Sequence, residues 1–191
     1  MSKIWFTSDW HFCHDKDFLW FPRGFDSIEM NNLAILSNHN LLVSNEDDVY
    51  VLGDLMLNDN EKGLELIKSM KGKLHIILGN HDSDTRIELY KTLPNVVEIV
   101  YATILKYQKS HFYLSHYPTI CANYDDNKPW HKNLINLYGH THQKTNFFND
   151  NPYMYHVGVD SHNCYPVLID DIIEEIRNKK CELNNESMKG E

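Results

Sequence analysis

Hydrophobic positions along the chain fall into two alternating kinds of run. Short stretches rich in β-branched and aromatic residues read as strands: Lys3 to Ser8, Val49 to Leu52, Leu74 to Leu78, Val96 to Tyr101, Phe112 to Ser115, Leu134 to Tyr138, Tyr153 to Val157 and Val167 to Ile169. Between them, amphipathic stretches open at capping residues. Asp26 and Glu29 precede a helix over Asn31 to Leu42, Asn60 opens Glu61 to Lys71 with Gly72 closing it, and Asp84 opens Thr85 to Leu93 ahead of Pro94. Ile172, Ile173 and Ile176 recur at helical spacing, predicting a last, core-docking helix from about Asp170 to Lys179. Strands alternating with helices predict an α/β fold. Phe12 to Phe25 and Thr119 to Lys132 have no such period, and loops this long in a compact domain are functional or mobile. The expected organisation is one domain over 1–180, with the charged stretch 181–191 as a flexible tail.

Composition narrows the chemistry. A chain of 191 residues with 42% hydrophobic and 24% charged residues is that of an ordinary globular protein. Its formal charge of -9 excludes a broad basic footprint for long duplex nucleic acid, so an anionic substrate has to be attracted locally. Cys13, Cys121, Cys164 and Cys181 stand far apart without a C-x-x-C pair, which suits a reducing compartment better than a disulfide framework. With no signal-like N-terminus and no apolar run of membrane length, the expectation is a soluble cytoplasmic protein without a membrane partner. The 12 histidines are the unusual number, because imidazole serves as metal ligand and proton carrier.

Five of those histidines sit where strand-like runs end. Asp9-Trp10-His11, Gly53-Asp54, Gly79-Asn80-His81-Asp82, Ser115-His116 and Gly139-His140-Thr141-His142 follow five strand-like runs in order. In open α/β sheets the carboxyl ends of strands build the site. Residues two apart on an extended chain point the same way, so Asp9 with His11, and His140 with His142, are each expected to face one cavity. Three carboxylate or amide oxygens and four imidazoles form a set suited to Mn, Fe, Zn, Co or Ni. Seven ligands exceed one tetrahedral ion, and two ions sharing Asp54 would absorb them.

The ordered set D-x-H, G-D, G-N-H-D, H and G-H-x-H resembles the calcineurin-like metallophosphoesterase superfamily, from Lys3 to about Ile176. His14, Ser115-His116-Tyr117-Pro118 and Val157-Gly158-Val159-Asp160 resemble its small bacterial and phage branch. The resemblance implies a four-layer sandwich of two mixed sheets flanked by helices. It implies one divalent ion on Asp9, His11, Asp54 and His142 and a second on Asp54, Asn80, His116 and His140, manganese first, with iron, nickel, zinc or cobalt as alternatives. His81 is then the general acid, with Asp82 orienting its ring. The implied reaction is hydrolysis of a phosphodiester or nucleotide-type substrate by a hydroxide bridging the two ions.

Other readings stay open. Arg23 and His14 are weighed as substrate contacts against solvated loop residues, and Trp10, Phe12, Trp20 and Phe21 as a nucleobase stack against ordinary packing. Gly53-Asp54-Leu55-Met56-Leu57-Asn58 departs from the G-D-x-V-D-R-G of the protein serine/threonine phosphatases. Dinucleoside polyphosphate hydrolysis and nuclease activity remain, as does a catalytically silent, metal-stabilised binding module. Oligomeric state is left unassigned.

Overall fold

The computed structural model describes residues 2–121 and 134–187, so most of the second long segment, His131 included, lies outside the described residues. The chain forms two mixed sheets flanked by helices. In the first, β1 (Ile4–Thr7), β2 (Asp48–Val51), β3 (Lys73–Ile77) and β4 (Val96–Val100) run parallel, and β9 (Val167–Leu168) adds antiparallel to β1, giving the order β4-β3-β2-β1-β9. In the second, β5 (Ala102–Tyr107) pairs antiparallel with β6 (Ser110–Ser115), which continues in parallel to β7 (Leu134–Tyr138) and β8 (Met154–His156). The helices are α1 (Asp17–Trp20), α2 (Ile28–Leu42), α3 (Asn60–Lys68), α4 (Asp84–Tyr90) and α5 (Ile169–Ser187).

Strand alternation divides the core in two. Trp5, Val49, Val51, Leu74 and Ile76 pack with Ile35 of α2, Ile67 of α3 and Tyr90 of α4. Their neighbours Phe6, Leu52 and Ile77 turn to the other face and meet Phe112, Leu114, Ile135 and Leu137 of the second sheet, with Ile172, Ile173 and Ile176 of α5 in the same cluster. Each buried aliphatic or aromatic side chain contributes about 1.5–3 kcal/mol, so both faces of the first sheet bind strongly. A bridge between Ser8 and Gly158 ties the end of β1 to the residues after β8, which brings the carboxyl ends of both sheets to one place.

Several boundaries differ from expectation. α2 is capped by Ser27, whose side chain accepts from Met30 N, and α3 by Asp59, which accepts from Lys62 N; both caps are next to the residues expected. The chain leaves the first sheet after Val100 and begins β5 at Ala102, a strand the pattern did not reveal. α1 lies inside the segment expected to be irregular. α5 runs through Ser187, so the stretch from Glu182 to Ser187, expected as part of the tail, is helical; no Gly or Pro interrupts it from Ile169 onward. Among the described residues, no helix is long and apolar enough to cross a membrane.

Candidate metal centre

Six parallel strands end at one edge: β1 before Asp9, β2 before Asp54, β3 before Asn80 and His81, β6 before His116, β7 before His140 and His142, and β8 before Asp160. Two groups of ligand atoms form there, Asp9 with His11 and His142, and Asp54 with His116 and His140; within each group the atoms lie within 4.8 Å of one another. Asp54 lies between them. Its Oδ2 is 3.6 Å from His11 Nε2 and 3.4 Å from His116 Nε2, while Oδ1 accepts from His81 N at 2.8 Å. Asn80 Oδ1 stands 3.0 Å from His116 Nε2. All seven residues singled out in the sequence as ligands are therefore neighbours.

The convergence has a different local cause from the extended alternation expected. Asp9, His11, Asp54, His140 and His142 all have positive φ, between 47° and 68°. This left-handed region is uncommon outside glycine, though Asp and His enter it more readily than most residues. It costs on the order of 1–3 kcal/mol per residue and is held by surrounding bonds. Here Asp9 N donates to Gly53 O and His11 N to Asp54 O, both at 3.0 Å. Two glycines make the approach possible: a Cβ on Gly79 would collide with Asp54 Oδ1, and one on Gly139 would stand 2.6 Å from Asp9 Oδ2.

Outside the ligand groups, Asp160 and Arg23 form a brace. His142 Nδ1 donates to Asp160 Oδ2 at 2.8 Å, leaving Nε2 turned toward Asp9. Arg23, weighed from the sequence as a phosphate contact, is instead engaged internally: its side chain is 1% exposed and its three nitrogens bond Asp160, Asp9 O, Trp10 O and Asn31 Oδ1. Those five bonds match the five N–H donors of a guanidinium, so none is left for a substrate. Similarly, His116 Nδ1 donates to Leu52 O at 2.8 Å, which fixes the tautomer and leaves Nε2 to the cluster. Sequence reasoning quoted Asp160 within its V-G-V-D run but assigned it no role; its signal was the carboxylate two residues past a glycine at another strand end.

Asp82 also differs from expectation. Its carboxylate accepts from Gly79 N at 2.8 Å, Asp54 N at 2.9 Å, Leu55 N at 3.3 Å and Tyr90 OH at 2.8 Å. It pins the loop bearing Asp54 and does not orient the His81 ring. That ring makes no hydrogen bond among the described residues and stands edge-on to His11, with centroids 5.3 Å apart. His14 lies beside both, 5.4 Å from His11 and 6.2 Å from His81. Trp10 and Phe12 belong to the core, so they are packing. Of the histidines without a motif, His39 is buried against Lys71 O and His75 pairs with Asp48 and Glu98.

Electrostatics and satisfaction both fit a cation. Burial raises the Asp9 carboxyl, opposed by His142 and His116. Burial also opposes ionisation of Asp54, but the hydrogen bond and charge of His116 outweigh it and hold Asp54 at about 2. Conversely, burial of His116 is outweighed by Asp54 and Asp9, which hold it at about 9, so without an ion this ring itself carries the positive charge beside the two carboxylates, and an ion there would take that place and free Nε2. Burial pushes His11 well down, so this ring is neutral and able to donate a lone pair. His11 is 2% exposed, yet among the described residues neither of its ring nitrogens has a hydrogen-bond partner. An unpaired buried polar group costs about 1–3 kcal/mol, and a cation between His11, Asp9 and Asp54 would remove that cost. The donor set, oxygen and imidazole without thiolate, suits a divalent first-row metal.

No family model matches the chain. An uncharacterized protein of Methanocaldococcus jannaschii is 39% identical over 84 residues, 43% of this chain and 48% of that protein, so the chain matches about half its length. The gene 66 protein of Mycobacterium phage D29 is 29% identical over 206 aligned positions, covering 91% of this chain and 99% of the phage protein. Among solved structures, a protein of unknown function from Aquifex aeolicus superposes with a TM-score of 0.63 at 21% identity, over 91% of this chain and 99% of its own, which shows a shared fold. The YfcE phosphoesterase of E. coli aligns over 82% of this chain and 78% of its own, at 16% identity and a TM-score of 0.47.

Proposed function

We propose that the chain is a phosphoesterase dependent on two divalent ions, and that it favours a phosphodiester or nucleotide-type substrate. The observation that carries this reading is the position of Asp54 Oδ2 within 3.6 Å of one histidine from each ligand group. Asp9, His11, Asp54 and His142 would hold one ion, and Asp54, Asn80, His116 and His140 the other, with manganese the first candidate. When bound, such ions supply Lewis-acid activation of water near neutral pH and neutralise phosphate charge, which answers how a chain of charge -9 takes an anion.

The protein's residues do the rest. His81, beside His11, gives its proton to the departing ester oxygen as the P–O bond breaks. A water oxygen forms the new bond to phosphorus, and a proton from that water restores His81. One water is consumed, yielding a monoester and an alcohol. Asp160, Arg23 and Asp82 act as positioning residues, since each holds a ligand-bearing segment in its left-handed turn.

The test is hydrolysis of bis-p-nitrophenyl phosphate beside p-nitrophenyl phosphate by chelator-treated protein reloaded separately with Mn, Ni, Zn, Fe and Mg. Metal-dependent cleavage with the diester preferred is the expected result. Monoester-only turnover would refute the diester preference. Silence with every metal, in a protein that binds two ions, would replace the enzyme by a metal-stabilised binding module.

A further inference from the structure

A cavity of about 410 Å³ lined by Asp17, Phe18, Trp20, Phe21 and Pro22 opens on α1, within the roughly 300–1,000 Å³ range of small-molecule sites. Its position relative to the metal centre gives it meaning. Phe18 stands edge-on to His14, with ring centroids 5.9 Å apart, and His14 is 6.2 Å from His81. A continuous row of rings therefore leads from His81, through His14, to this cavity.

The lining argues for an uncharged planar occupant. Phe18 and Phe21 are 68% and 70% exposed, whereas Leu19 between them is 5% exposed and anchors the turn to the core. Trp20 is held in place by its indole N–H, which donates to Asp15 Oδ1 at 3.3 Å. No Lys or Arg lines the cavity, and Asp17 would repel phosphate, so phosphate charge has no partner here. Aromatic faces of this kind stack bases with little regard to sequence, because every base offers a π-face.

We propose that Phe18, Trp20 and Phe21 form the subsite for the leaving arm of the substrate, and that this arm carries a nucleobase or similar aromatic ring. The proposal rests on the phosphoesterase reading for the direction of departure: His81 protonates the leaving oxygen, and the row of rings starts at His81.

The test uses manganese-loaded protein and the double variant Phe18→Ala/Phe21→Ala, with melting temperature and bound manganese confirming that the variant is folded and loaded. On zinc-loaded protein, which is diamagnetic, saturation-transfer NMR of adenosine 5′-monophosphate is expected to light the base protons in the wild type and to lose at least 80% of that signal in the variant. For bis-p-nitrophenyl phosphate, kcat/KM is expected to fall at least 10-fold, mainly through KM, and p-nitrophenyl phosphorylcholine, which shares only the leaving arm, is expected to suffer the same fall. Unchanged kinetics and unchanged base signals would overturn the subsite while leaving the hydrolase standing. A loss confined to bis-p-nitrophenyl phosphate would overturn the assignment to the leaving arm. Base binding at α1 in a protein that cleaves no phosphoester would support the aromatic subsite and overturn both the hydrolase and the leaving-arm assignment.

Discussion

At the scale of single residues, function is divided between side chains that face the cluster and side chains that hold them. His81 belongs to the first kind. His81→Ala is expected to retain two metal ions per chain by elemental analysis and to lose about 10²–10⁴ in turnover of a diester with a poor leaving group; turnover within a few-fold of wild type would remove it from the mechanism. Asp160 belongs to the second kind, since it receives His142 Nδ1 and the Arg23 fork in a buried site. Asp160→Ala leaves Arg23 without its counter-charge, and such a loss costs about 3–5 kcal/mol. Urea unfolding of the metal-free variant should show that loss, and one of two manganese equivalents should bind about 10–100-fold more weakly. Unchanged affinity at both positions would show that Asp160 is structural only. The ligands were legible because each follows a strand. The roles of Arg23 and Asp82 were not, because a sequence shows that a residue is charged but not that the five N–H donors or the carboxylate oxygens are already taken, with partners as distant as Asp160 for Arg23 and Asp54 N for Asp82.

At the scale of elements, the core strands and the helices were readable wherever burial was complete. The face of α5 is an example: Ile172 and Ile176 are fully buried at the spacing expected from the sequence. Ile172→Ala is expected to cost about 2–5 kcal/mol in chemical unfolding, with metal stoichiometry kept; a change below 1 kcal/mol would mean that α5 does not close the core between the sheets. The β5–β6 hairpin escaped for a physical reason. β5 alternates exposed and half-buried positions without a strongly apolar face, and its turn is Gln108-Lys109, with Gln108 at a φ of 50°. A turn that needs positive φ is normally announced by Asn or Gly, so this one gave no signal. The site turns were hidden similarly, since nothing in D-x-H says that both its Asp and His are left-handed. Helix starts were missed by one to three residues because neighbouring polar residues compete for each cap, as Ser27 with Asp26, while α3 and α4 stop three residues short of the expected end and α5 runs eight residues past it.

Across the whole molecule, two cores and one shared edge build a buried, oxygen- and imidazole-lined cradle, and on the proposed reading bound cations would reverse its sign for an anionic substrate. Folding also leaves His39 neutral inside the first core, where burial lowers its pKa from 6.5 to about 4 against the opposing hydrogen bond to Lys71 O. The unfolded chain takes up that proton first as pH falls. His39 therefore contributes stability that is complete above about pH 6.5 and is lost progressively toward pH 4, on the order of 3 kcal/mol in all. Metal-free His39→Gln should show a flatter decline of unfolding free energy than wild type across that interval; parallel curves would contradict the assignment.

The central claim is that two ions sharing Asp54 make this edge a phosphoesterase. Its most direct test is to titrate manganese into chelator-treated protein while following bis-p-nitrophenyl phosphate cleavage and bound metal together. The account expects a rate that rises with metal and levels off at two equivalents per chain. Full activity at one equivalent, or two bound equivalents without cleavage, would contradict it.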